Sequence, residues 1–438
     1  MIGSQIISNI NLILFVLMWV GAILVYQFNK RHFDAGSVIL FSYLTYALLS
    51  FILFNNPFYK FDEISFFPFL YLFIMLMISF SPILNYDYHK IDKIQKPTSI
   101  FLNFVSLIFI IFSLIQLPGV ISNFTKSIVQ LLLVSSAGLD LYNDSMADSY
   151  SLGDGNIANL PSIITNAYGN FGILLFFYYL TLEHRKAFIT IGLFLSCIIG
   201  LLSSVSLGQR GPIIEILLSF VITYFAMKKF FQPKIRKVIS AIGIVFLIVV
   251  TVPIIALTNS RFGDSRGGSD SSVFYYAGQQ NIIFNNYGLD NGGIRYGDRV
   301  FPLFKRMLGF ENIPNNFMER RNKYPNLIIT DEFFIGFVGD FALDFGPYIT
   351  PVIIIIFSTL FYFITKVRRG VMLFHQLILL HFLMTVCMLG GLKLYPYSDL
   401  GGNLQLILYF MAFIFFKLDY DSNQNKVVAH QQQVDANQ

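Results

Sequence analysis

Residues 236–270 read RKVISAIGIVFLIVVTVPIIALTNSRFGDSRGGSD. From Val238 to Leu257 the stretch carries no charge, and a helix of about 20 such residues crosses the hydrocarbon core of a bilayer. At Thr258 the character changes at once to Asn, Ser, Gly, Arg and Asp. The switch predicts a membrane helix that ends in a polar segment, and the rest of the chain has one or the other of these two textures.

The apolar texture dominates. Eleven runs of spanning length occur, at roughly 8–28, 36–54, 64–85, 99–117, 160–182, 187–206, 209–228, 236–257, 346–366, 370–392 and 401–418. Of the 438 residues 55% are hydrophobic, 17% aromatic and only 13% charged, with a mean hydropathy of +0.63. Soluble domains carry about a quarter charged residues, so a chain this apolar has too little polar surface to face water. The fold class is therefore an all-α polytopic integral membrane protein with about eleven transmembrane helices. The net charge of +5 reports topology and not nucleic-acid binding. Cys197 and Cys387 both lie in apolar runs, which excludes a disulfide framework or a cysteine metal site. Met1–Asn9 has no basic residue, so the first run is expected to be a span and not a cleaved signal.

Charge alternation orients the spans. Lys30, Arg31, Lys90, Lys93, Lys96, Arg185 and Lys186 fall in every second connection. So do Lys228, Lys229, Lys234, Arg236, Lys237, Lys366, Arg368, Arg369, Lys417 and Lys426. The short connections on the opposite side hold only Lys60, Lys126, Arg210 and Lys393. Basic residues stay on the cytoplasmic side, which predicts the N-terminus outside and the C-terminus inside. Residues 1–257 then carry spans one to eight, 258–345 form one long outward loop, 346–418 carry spans nine to eleven, and 419–438 form a disordered cytoplasmic tail.

The outward loop concentrates the polar chemistry, with nine of the thirty Lys and Arg and ten Asp and Glu. Two further segments are amphipathic without resembling spans. One carries Ile121, Phe124, Ile128 and Leu131 on one helical face; the other carries Val300, Phe304, Met307 and Leu308. Each is expected to lie on the outer membrane surface or to pack on the bundle. Residues 137–159 hold four aspartates and no basic residue, and are expected to be a solvated loop.

Arg210, in SLGQRGPIIE (206–215), stands at a tight outer turn on the side that arginine normally avoids. Pro212 suits the first turn of the next helix, so the guanidinium sits at a helix N-terminus, an arrangement that binds phosphate. Glu215 is placed to orient it. Arg261 and Arg266 follow the eighth span in a Gly- and Ser-rich segment and are positioned to close on the same anion; Arg295 and Arg299 flank Tyr296 and Gly297. Tyr275, Tyr276, Phe284 and Tyr287, with Gln279, Gln280, Asn285 and Asn286, form a composition suited to sugar rings, although an interfacial aromatic belt has the same composition. Asp331, Glu332, Asp340 and Asp344 are the acidic candidates. Asp340 and Asp344, four residues apart, share a helical face and are either general bases or helix N-terminal charges. His375 and His381, in the tenth run, are expected to be interhelical hydrogen-bonding groups. No P-loop, GxGxxG or catalytic-triad pattern is present in the sequence.

Four features together resemble the bacterial oligosaccharide repeat-unit polymerases, the Wzy-type O-antigen or capsule polymerases. They are the polytopic layout with one late outward loop, the SLGQRGPI turn, the arginine-bearing segment leading to Tyr275–Tyr287, and TDEFFIGFVGDFALDFGPYI (330–349) entering a span. The resemblance covers the second half of the chain. It implies a glycosyltransferase C-like membrane fold and an active site facing the periplasm of a bacterial inner membrane. The reaction implied moves a growing glycan from undecaprenyl diphosphate onto a new lipid-linked repeat unit. It further implies no nucleotide-sugar or metal cofactor, membrane lipid as surroundings, and a chain-length regulator protein as a partner. Diphosphate-binding arginines of that family match Arg210 and Arg261, with Arg266 beside them. An O-antigen ligase and a lipid-linked sugar flippase are the alternatives.

Overall fold

The computed structural model describes the backbone of residues 2–133, 137–151, 160–262, 268–329, 333–392 and 397–436. In chain order its first helices are α1 (Ile2–Lys30), α2 (Ala35–Phe54), α3 (Phe66–Asn85), α4 (Ser99–Leu133), α5 (Ala137–Ser151) and α6 (Leu160–Thr181). There follow α7 (Ala187–Ser206), α8 (Arg210–Met227), α9 (Pro233–Phe262) and α10 (Gly268–Ile283). Short helices α11 (Pro302–Met307), α12 (Phe317–Lys323) and α13 (Gly336–Phe345) precede α14 (Ile349–Thr365), α15 (Phe374–Leu389) and α16 (Asp399–Ala436). Each apolar run of the sequence falls on a helix. Among the described residues seven helices are long and apolar enough to cross a membrane: α1, α2, α3, α4, α7, α9 and α16. Shorter apolar segments lie on α6, α14 and α15. One small parallel pair, β1 (Lys93–Gln95) with β2 (Val371–Leu373), ties the α3–α4 connection to the α14–α15 connection.

The outer surface has the character that lipid requires. On α9, Val238, Ile242, Ile244, Val245, Ile248, Val252 and Ile255 are all exposed, on more than one face. Water would tolerate no apolar surface of this extent, whereas hydrocarbon accepts it because the helix satisfies its own backbone. The centre is α15, apolar on every face and buried along its whole length. It packs against α2, α3, α6, α8, α14 and α16.

One polar seam runs inside the bundle. Glu215, Ser219 and Thr223 recur every four residues on α8 and so share a face. Asn170 of α6 donates to Glu215 Oε1 at 2.9 Å and accepts from Ser219 Oγ at 2.7 Å; Thr223 Oγ1 meets His381 Nε2 of α15 at 2.8 Å. His381 is thus the interhelical hydrogen-bonding group the sequence suggests. His375 packs edge-on against Phe413 of α16.

Four sequence expectations change. Pro118 does not end a span: α4 runs through it to Leu133, and Phe124 and Leu131 pack on Leu201, Val205, Ile213 and Leu257 instead of forming a separate surface helix. The first part of the expected solvated loop is α5, whose Gly138 N–H is bonded to Ser260 Oγ at 2.8 Å. The tail expected to be disordered continues as α16. Its Asp419 accepts from the Thr98 N–H and hydroxyl at the start of α4, where backbone donors lack helical partners, and Asn423 Nδ2 donates to the same hydroxyl oxygen.

The fourth change concerns the outward loop. Its first part is α10, which packs along α2: a Cβ on Gly278 would lie 2.6 Å from the Leu49 carbonyl oxygen, so glycine lets the two backbones touch. Ser50 Oγ donates to the Gly278 carbonyl at 2.7 Å and accepts from Asn281 Nδ2 at 2.9 Å. In the second amphipathic segment Val300 is buried, whereas Met307 and Leu308 remain exposed at 69% and 76%.

Candidate active site

The structure groups the sequence candidates into two centres. The first is built on the turn between α7 and α8. Gly208 adopts φ +62, and a Cβ there would lie 2.9 Å from the Gly138 carbonyl oxygen, so only glycine lets α5 tuck under the turn. Arg210, the first residue of α8, is 9% exposed. Its Nη1 donates to Thr258 Oγ1 at 3.0 Å, and its guanidinium carbon stands 4.4 Å from the centre of the Tyr276 ring. A desolvated cation over an aromatic face gains about 2 kcal/mol, which fixes the guanidinium at the helix start. The N-cap Gln209 makes no side-chain cap, so the N-terminal end of α8 faces the same place. Arg261 is the penultimate residue of α9, and its side chain lies outside what the structure describes, as do Arg266, Asp331 and Glu332.

The second centre gathers Arg295, Arg299, Asp340 and Asp344, all 0–2% exposed. Helix α13 places the two aspartates one turn apart on one face, as the spacing predicts. Tyr296 at φ 52 and Gly297 at φ +81 turn the chain sharply, so that backbone as well as side chains faces them. Asp344 accepts from Arg295 Nε at 2.7 Å, from the Arg299 N–H at 3.1 Å and from the Val300 N–H at 2.7 Å. These three bonds give Asp344 an anchoring role. It is not the cap of α14, whose N-cap is Tyr348, and both of its carboxylate oxygens are engaged. Asp340 lies 3.4 Å from Arg299 Nη1 and 4.0 Å from Arg295 Nη2.

A second layer fixes this cluster. Asp298 is fully buried and binds Lys305, Lys323 Nζ at 2.6 Å and Tyr324 Oη at 2.7 Å. Burial by itself would raise its pKa, but the hydrogen bonds from Lys305, Lys323 and Tyr324 outweigh it and hold the carboxyl below the ordinary 3.8. Arg320 Nη1 donates to Asp399 at 2.9 Å, and Asn403 Nδ2 donates to the Val300 carbonyl at 2.7 Å, so the loop is tied to the start of α16. Arg295, Arg320, Arg321 and Tyr324 line a cleft of about 130 Å³ beside the cluster.

A separate apolar groove lies among α3, α13, α14, α15 and α16. Its lining includes Ile354, Phe361, Phe382 and Phe410, with Phe341 and Tyr397 stacked 5.5 Å apart. Phe341 directly follows Asp340, so groove and charged cluster meet there. Helix α10 joins the two centres. Tyr276 faces Arg210, and one turn later Gln280 reaches the start of α13, where its Oε1 would be 3.4 Å from a Cβ on Gly336.

Of the four amides expected to line a sugar site, Gln279, Gln280 and Asn285 are buried, as is the neighbouring Asn281, whereas Asn286 is only part-buried. Asn285 accepts from the Ser65 N–H at 2.9 Å and donates to the Ser65 carbonyl at 2.7 Å, so it clamps the start of α3. Tyr275 stacks on Tyr59, 4.9 Å away, in the α2–α3 connection. Sequence reading missed Thr258, Tyr397, Arg320, Arg321 and the Tyr59–Asp62 stretch. Thr258, Tyr397, Arg320, Tyr59 and Asp62 carry no local signal, since each meets a partner tens to hundreds of residues away. Family models, curated proteins and solved structures all give no match to this chain.

Proposed function

We propose that the protein is a lipid-diphosphate-dependent membrane glycosyltransferase that polymerises oligosaccharide repeat units. In this reading it belongs to the Wzy-type kind, with eleven crossings and residues 258–345 on the periplasmic side of a bacterial inner membrane. The observation that carries the proposal is Arg210, a buried guanidinium locked between Tyr276 and Thr258 at a helix start that has no side-chain cap. Such a site suits a diphosphate. Negative charge develops on the diphosphate as the glycosidic bond to it breaks, and a fixed cation in a site of low polarity stabilises that charge without reorganising. Arg261 and Arg266, next along the chain, would complete the clamp. The apolar groove lined by Phe341 and Tyr397 would take the prenyl chain.

In this scheme the acceptor hydroxyl attacks the anomeric carbon of the donor, the bond to the diphosphate breaks, and the hydroxyl proton passes to a base. Asp340 suits the base better than Asp344, because all three shown partners of Asp344 are structural. Asp344, Arg295 and Arg299 then act as positioning residues.

The test uses the purified protein with lipid-linked single repeats. A ladder of polymer lengths is expected from wild type, and none from Arg210→Ala. Arg210→Lys should recover only part of the activity, since an ammonium keeps the charge and loses the planar fork. Product that forms only when lipid A core is added would sink the polymerase in favour of a ligase. Cells carrying Arg210→Ala should still display lipid-linked single repeats on the outer face; their loss would point to a flippase.

A further inference from the structure

The cleft between the α2–α3 connection and the end of α10 has about 320 Å³ of open space, at the lower end of the roughly 300–1,000 Å³ usual for ligand pockets. It is lined by Tyr59, Lys60, Asp62, Tyr275, Asn286 and Tyr287. The Tyr59 and Tyr275 rings are stacked at 29°, and both side chains are half-buried, so part of the ring surface faces the open space. Within this lining, Tyr287 Oη donates to Asp62 Oδ2 at 2.5 Å. This hydrogen bond first, and burial second, raise the Tyr287 hydroxyl above its ordinary pKa, so it remains a protonated donor. Two clamps make the walls rigid: Asn285 on both backbone groups of Ser65, and Asn286 Nδ2 on the Glu63 carbonyl at 3.1 Å.

We propose that this cleft binds the saccharide of a lipid-linked repeat unit, with a pyranose face against the Tyr59–Tyr275 pair and its hydroxyls on Asp62, Lys60 and Tyr287. Three features select that class. Aromatic surface next to polar groups matches a sugar, which has an apolar C–H face and a hydroxyl rim. The charged groups, Lys60 and Asp62, offset each other, and Glu63 stands next in sequence, so a phosphate gains nothing here and is better served by the arginine sites. The donors and acceptors are mixed, as hydroxyls that both donate and accept require. A prenyl chain would leave all of these polar groups unsatisfied. The cleft deepens the polymerase reading, and rests on it for which glycan is bound.

The probe is the free oligosaccharide released by mild acid from the prenyl-linked glycans of cells that produce the protein. Binding to the full-length protein in lipid nanodiscs is read by saturation-transfer NMR. Wild type should transfer saturation to ring C–H protons of the sugar, and Tyr59→Ala and Asp62→Asn should each bind about tenfold more weakly or worse. Tyr59 and Asp62 lie in a connecting segment, and an unchanged melting temperature would exclude misfolding of either variant. Equal affinity in wild type and both variants, or no transfer in wild type, would overturn the assignment. Binding lost in both variants of a protein that makes no polymer would keep the cleft and remove the polymerase. Normal polymer formation by Tyr59→Ala would remove the cleft and leave the polymerase.

Discussion

Replacing Asp344 by Ala probes the buried cluster most directly. The substitution removes a fully buried carboxylate and leaves Arg295 with Asp340 at 4.0 Å as its nearest carboxylate shown. Stranding one partner of a buried ion pair costs about 3–5 kcal/mol. The Arg299 and Val300 N–H groups lose their acceptor as well, at about 1–3 kcal/mol each where water cannot reach them. These contributions share one carboxylate and overlap, so a total of about 4–6 kcal/mol is expected. Asp344→Asn keeps an acceptor oxygen and should lose about half as much. The double variant Arg295→Met/Asp344→Leu removes both charges and should recover much of the loss, since a buried pair is often replaceable by apolar side chains. SDS titration of the purified protein, followed by helical circular dichroism, measures all four. If Asp344→Ala stays within about 1 kcal/mol of wild type, the anchoring role is refuted. An Asp344→Asn variant of wild-type stability but without polymerase activity would return Asp344 to the role of base.

Two further outcomes follow from the geometry. Gly278→Ala forces a Cβ against the Leu49 carbonyl and should destabilise the α2–α10 contact by about 1–3 kcal/mol, read as a lower melting temperature in detergent. The Asp298 carboxyl has a depressed folded pKa, so its stabilising contribution is present above about pH 3.8 and is lost as pH falls through the lower folded value. Hydrogen exchange in residues 296–324 should therefore be flat from pH 7 to 4, after correction for the intrinsic rate, and accelerate below that; Asp298→Asn should abolish the acid-dependent part.

The sequence alone was sufficient for the apolar helices and their membrane character, because hydrocarbon imposes one local rule of about 20 apolar residues on each crossing. The same locality made the shared face of Asp340 and Asp344 legible, since four residues make about one turn wherever the helix lies. Arg210 at a tight turn was legible for a similar reason: an arginine between two apolar runs is costly at any tertiary position. The partners of these residues were not legible. Arg295 reaches Asp344 across 49 residues, Arg210 reaches Thr258 across 48, and Tyr275 stacks on Tyr59 from more than 200 residues away. Residues 258–345 read as an open polar cap because polarity alone cannot distinguish side chains that face water from side chains that satisfy one another. Asn285 and Asp298 are polar and buried because partners meet them. A buried polar group is stable only when its hydrogen bonds are made, and which bonds are made depends on how distant segments pack, which only the tertiary structure decides.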